Sequence, residues 1–136
     1  MIAALFMALQ AAAPGATPPL VQPASPRTLS GRFACEAIVY EVQVTATPLS
    51  GAGVMLDRLA IGGKPVDGGS LAEARRMAAR LSDVQSIDVR CRVGGAGELS
   101  IYGLQGPPGA PSRRARLRGT LSTAGISDLV VAVEQR

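Results

Sequence analysis

The chain has 136 residues, enough for one domain of ordinary size and no more. Apolar residues make up 47% of it but aromatics only 3%, so the core must be built from Val, Leu, Ile, Ala and Met. The net charge is +4, and the absence of any His removes the commonest metal ligand and the commonest general base together.

Met1 to Ala13 is an uncharged apolar run followed by small residues. It reads as a signal peptide cleaved between Gln10 and Ala16, without Lys or Arg ahead of the run. An apolar helix packed on the domain is the alternative. The run is too short to span a bilayer, and no Cys follows it to carry a lipid anchor. Residues 14–30 hold Pro14, Pro18, Pro19, Pro23 and Pro26. Proline at this density prevents helix and sheet interior alike, so the segment is expected to be an extended, disordered linker. A ligand for a proline-recognising domain is a lesser possibility. The folded domain is expected over residues 31–136.

Ile38, Tyr40, Val42 and Val44 alternate with Val39, Glu41, Gln43 and Thr45, which predicts a strand. Phe33 and Cys35 fall on the opposite parity. A bulge near Glu36 and Ala37 would return both sets to the core face. Turn residues 47–53 lead to a second strand over 54–61, and residues 62–69 read as a loop. The Gly63-Lys64 pair has Arg58 where a phosphate-binding loop has its first Gly, five residues ahead, and no Ser or Thr after the Lys.

Ser70-Leu71-Ala72-Glu73 has the pattern of a capping box opening a helix that runs to about Leu81. Leu71, Ala74, Met77, Ala78 and Leu81 share one face, while Glu73, Arg76 and Arg80 share another that is expected to face water.

The clearest stretch runs from Val84 to Leu104. Ile87, Val89, Cys91 and Val93 alternate with Ser86, Asp88, Arg90 and Arg92. Gly94 to Gly97 supplies a turn, and Leu99 and Ile101 resume the apolar face. This is a β-hairpin. After a Pro-rich loop over 103–111, Ala115, Leu117 and Leu121 point inward and Arg114, Arg116 and Arg118 outward. A last strand over 126–133, with its run Leu-Val-Val-Ala-Val, reads as buried on both faces. The fold class is α+β: a mostly antiparallel sheet of about six strands, ordered β-β-α-β-β-β-β, with one helix on one face.

Val89 to Ser100 resembles a hairpin in the periplasmic C-terminal domains of TonB-like proteins. The likeness covers a dozen residues. The helix that follows the hairpin in those domains is replaced here by the Pro-rich loop and the arginine strip, and the resemblance implies no function.

Three chemistries follow from side chains alone. Cys35 and Cys91 both sit on predicted strands, and in an exported domain they most simply form one disulfide, worth about 4 kcal/mol in the chain-entropy model. Two free thiols are the alternative; a redox pair would be expected as Cys-x-x-Cys, and a metal needs more ligands than these. Arg114, Arg116 and Arg118, joined by Arg90 and Arg92 if the strands share a sheet, would line one face. Such a face could bind phosphate groups of lipid or lipopolysaccharide, or simply keep a sheet solvated. Nucleic acid is not expected, since aromatics for stacking are lacking. Catalysis by Ser–His–Asp or Cys–His is excluded without His. A carboxylate-dependent enzyme is the least favoured reading, and no cofactor is expected. The expected role is therefore a small exported, non-catalytic binding or structural domain of the cell envelope, partnered by an envelope protein or an anionic surface, with no transmembrane span.

Overall fold

The computed structural model describes residues 25–47, 51–106 and 111–134. The expected signal peptide, most of the expected linker and part of the Pro-rich loop lie outside the described residues. The described residues are α+β: eight strands in two antiparallel four-stranded sheets, with one helix. The expectation of about six strands in one sheet is thus corrected in both number and layering.

The first sheet is a meander. Strand β1 (Arg27–Cys35) pairs with β2 (Ile38–Ala46), β2 with β3 (Met55–Ile61), and β3 with the two-residue β4 (Lys64–Pro65). Pairing begins at Arg27, four residues ahead of the expected domain start. The parity switch after Cys35 is a hairpin turn rather than a bulge, because Cys35 pairs directly with Ile38 across Glu36 and Ala37. Glu36 takes φ 56° there, a left-handed conformation that costs a non-glycine residue about 1 kcal/mol. Its carboxylate accepts the amide of Gly94 at 3.2 Å from the other sheet. The bulge of this sheet lies instead between β2 and β3, after Gln43.

Helix α1 (Gly68–Ala78) begins two residues before the expected capping box. Asp67 is the N-cap, in extended conformation and without a side-chain cap bond. Ser70 lies inside the first turn, so its hydroxyl is not at the capping position. The helix ends at Ala78 rather than Leu81. Its inner face matches expectation: Ala74, Ala78 and the following Leu81 are buried, and Leu71 and Met77 pack against the core.

The second sheet follows chain order: β5 (Asp83–Cys91), β6 (Gly97–Gln105), β7 (Arg113–Ser122) and β8 (Gly125–Val133). A 3-10 turn over Val93–Gly95 joins β5 to β6. Gly94 and Gly95 adopt φ 85° and 84° there, as the Gly-rich sequence requires. Two expectations fail at this end. Val93 is 99% exposed, because the inward parity of β5 stops where the turn begins. Cys91 is exposed as well, although its partner Cys35 is fully buried. Strand β8 is not buried on both faces: only Ile126 is buried, and Val130 is 45% exposed. With β7 as its one sheet neighbour, β8 is an edge strand, and its apolar run is half covered.

One core joins the sheets. Tyr40, Val42 and Val44 of β2, Leu56 and Leu59 of β3, Leu99 and Ile101 of β6, and Leu117 and Leu121 of β7 pack in a single cluster with the helix alanines. The sheets meet along β1 and β5, which run the same way side by side. Arg27 reaches Asp83 and the carbonyl of Val84 at the start of this seam, and the disulfide closes its end. The helix packs on β3 and β8, across the other opening between the sheets. Strand edges that would otherwise invite a partner strand are thereby covered or tied.

Candidate functional site

The arginine-bearing face is the outer face of the second sheet. The strand order β5-β6-β7 meets the condition on which the five arginines would share a face. Cross-strand register then sets the neighbours. Ser100 at the middle of β6 lies opposite Asp88 on β5 and Arg118 on β7, and Tyr102 lies between Ser86 and Arg116. Glu98 lies between Arg90 and Thr120.

This register makes a cleft. Direct cross-strand neighbours stand about 5 Å apart, and residues two apart on one strand share its face. Ser100 is therefore ringed by Asp88, Arg118, Glu98, Tyr102, Arg90 and Arg116, all with larger side chains than its own. A serine among them leaves a hollow of about 190 Å³ lined by those seven residues. Ser100 forms the floor, 6% exposed.

The arginines do not all play the same part. Arg92 lies past the end of β5 and binds Glu98 at 3.0 Å. Arg118 approaches the other oxygen of Glu98 at 3.9 Å. Arg116 stands 5.6 Å from the Tyr102 ring centre, a cation–π distance, and donates to its hydroxyl at 3.4 Å. Arg114 lies two residues beyond Arg116 and faces Glu134 at 3.8 Å, away from the cleft. Arg90 has no ion pair among the described residues, and neither does Asp88. The Nε of Arg118 is buried without an acceptor. Among the sites expected from the sequence, then, Arg90, Arg116 and Arg118 converge on the cleft, Arg92 stands at its rim, and Arg114 is apart.

Electrostatics follow from these contacts. The hydrogen bond from Arg92 holds the Glu98 carboxyl below its usual range, with the charges of Arg92, Arg118 and Arg90 adding to the effect. Hydrogen bonds from Arg116 first and Ser100 second pull the Tyr102 hydroxyl below its usual value. Two carboxylates, Asp88 and Glu98, do line one cleft. A general acid, however, needs a raised pKa, and Glu98 is shifted the other way. Among the described residues no three His, Cys, Asp or Glu side chains cluster as a metal site would need.

Sequence reasoning missed Ser100, Tyr102, Asp88 and Glu98 as parts of this site. Their outward parity was legible; which of them stand side by side depends on register, which period-two alternation does not carry.

Cys35 and Cys91 form a disulfide, with 5.3 Å between their Cα atoms and 56 positions between them in sequence. No helix among the described residues is long and apolar enough to cross a membrane. No protein-family model matches this chain, and no curated protein or solved structure matches it.

Proposed function

We propose that the protein works outside the cytoplasm, in the periplasm or beyond, as a small non-catalytic domain that binds or braces another component of the cell envelope. The observation that carries this reading is the Cys35–Cys91 disulfide. Glutathione and thioredoxin keep thiols reduced in the cytosol, and Cys91 stands exposed to such reductants. A bond of this kind persists in an oxidising compartment. The apolar run at Met1–Ala13 is consistent with a leader that directs the chain there. The test is the intact mass of the protein recovered from the cell envelope, before and after reduction. The expected result is a chain shortened by the leader, gaining two hydrogens on reduction. A full-length chain with free thiols in the cytosol overturns the reading.

A second reading is favoured by a specific observation: Arg90, Arg114, Arg116 and Arg118 lie on one face of one sheet. On this reading that face is the working surface and contacts anionic groups of the envelope, each arginine adding about 1 kcal/mol near an anionic membrane. Changing Arg114, Arg116 and Arg118 together to Gln tests it. Weakened sedimentation with vesicles rich in anionic lipid is expected; unaltered binding sinks it.

A further inference from the structure

We propose that the cleft floored by Ser100 is a binding site for a hydroxylated carboxylate, such as a uronic acid, taken free or as the acidic unit of a polysaccharide. This deepens, and rests on, the reading of the arginine face as the working surface. The cleft has charges and acceptors that its own residues leave unmatched. Its walls are polar or charged throughout, so an apolar ligand gains nothing by entering. Three arginines oppose two carboxylates. Glu98 is engaged by Arg92 and Arg118, and Arg90, across from it on β5, adds attraction without closing an ion pair. Arg118 has a buried Nε with no acceptor. Rotation of that guanidinium to present Nε and an Nη together would meet a carboxylate in the bidentate, fork-to-fork manner. The cleft is thus short of one anion.

One acceptor in it also lacks a donor: no ion pair or side-chain hydrogen bond reaches the Asp88 carboxylate among the described residues. Asp88 lines the same hollow, directly across from Ser100, and an ionised carboxylate only accepts hydrogen bonds. Hydroxyl groups next to the ligand's acid would supply them, and the Ser100 hydroxyl can both give and take. The acidic residues narrow the choice of anion. A phosphate monoester carries up to two charges at neutral pH and would bring both beside Asp88 and Glu98, where a carboxylate brings one. A neutral sugar leaves the excess positive charge unmatched, and a cation would face three guanidinium groups.

The experiment titrates the oxidised full-length protein with D-galacturonate, D-galactose, inorganic phosphate and polygalacturonate, following backbone amide resonances. The expected result is saturable shifts at Asp88, Ser100, Tyr102 and Arg118 with galacturonate, at least about tenfold tighter than with galactose or phosphate. Arg118→Gln should weaken galacturonate about tenfold while leaving the amide spectrum otherwise native. Asp88→Asn separates a hydroxy-acid site from a plain anion site: phosphate should tighten in this variant and galacturonate should not. Binding of the monomer, the polymer or both supports the proposal, and the tighter of the two per acid group identifies the source. Phosphate bound as tightly as galacturonate by the unaltered protein overturns it, as does the absence of shifts with either acid. Vesicle binding retained alongside no response to the acids removes the cleft as a site and leaves the arginine face as a membrane contact. Loss of both removes the two readings together.

Discussion

The hydroxyl of Tyr40, on the second strand of the first sheet, donates to the carbonyl oxygen of Gly95, in the turn of the second, at 2.6 Å. This bond joins the layers near the disulfide, and Tyr40 is fully buried. Tyr40→Phe keeps the ring and removes the donor, leaving a buried carbonyl unpaired; a loss of about 1–3 kcal/mol is expected by urea unfolding. The pH dependence has a definite sign. Burial raises the Tyr40 pKa above its ordinary value, so its stabilising contribution is complete below about pH 10 and is lost as pH rises through the folded-state value. Tyr102 is shifted the opposite way, so the wild type must be compared with Tyr40→Phe. The difference in stability between them should shrink above about pH 10, and a constant difference would contradict the assignment.

Gly103 sits where β6 passes Asp83 at the start of β5. A Cβ on it would lie 2.1 Å from the Asp83 carbonyl oxygen, which is main chain and cannot swing aside. The register between β5 and β6 already shifts beside this point, between Val84 and Ser86. Gly103→Ala is therefore expected to force the strands apart at a cost of about 3 kcal/mol or more. A thermal melt within a degree or two of wild type would show that the contact relaxes freely.

Local periodicity is what the sequence carried well. The inward set of β7 and the helix face from Leu71 to Leu81 were legible because each pattern lies within a dozen residues. So was the outward arginine strip. The turn at Glu36 and Ala37 was not, because neither residue is a turn former and the left-handed conformation of Glu36 carries no compositional mark. The division into two sheets depends on which edges meet, and nothing in β1 or β5 alone states that they lie side by side. Strand β8 misled for a different reason: its valines describe an apolar strand, but burial needs a second layer, and the helix supplies only one.

Ser70 offers a direct test of the corrected helix start. A capping serine usually contributes about 1 kcal/mol through its hydroxyl. Here Asp67 occupies that position, and Ser70 is a first-turn residue whose side chain caps nothing. Ser70→Ala should leave stability within about 0.5 kcal/mol of wild type. A loss of the full capping contribution would restore the capping box.

Glu98 makes the cleft sensitive to acid. Its carboxyl is held low chiefly by the bond from Arg92. A group with a depressed folded-state pKa stabilises above its unfolded value, about 4.3, and that contribution disappears as pH falls through the folded value. Glu98→Gln removes the effect at all pH values. Stability of wild type and variant should therefore differ at neutral pH and converge in acid below about pH 4. Because the pair is exposed, added salt should also narrow the neutral-pH difference; a difference that persists in acid would mean that Glu98 acts through packing.

The seam between β1 and β5 is fastened at both ends, and the two fasteners are unequal. The disulfide removes about 4 kcal/mol of chain entropy from the unfolded state for a loop of its 56-residue separation. The Arg27–Asp83 pair at the other end is exposed, its arginine more than half so, and pairs of this kind contribute at most about 1 kcal/mol. Replacing Cys35 and Cys91 together with Ala should lower the urea midpoint severalfold more than Arg27→Gln does. The disulfide variant should also gain a tendency to associate, because two strand edges held together in the oxidised protein become free to separate and pair elsewhere. Size-exclusion chromatography of both variants near their midpoints reads this out. Equal effects from the two ends would mean that the β1–β5 packing itself, rather than the sulfur bridge, holds the layers together.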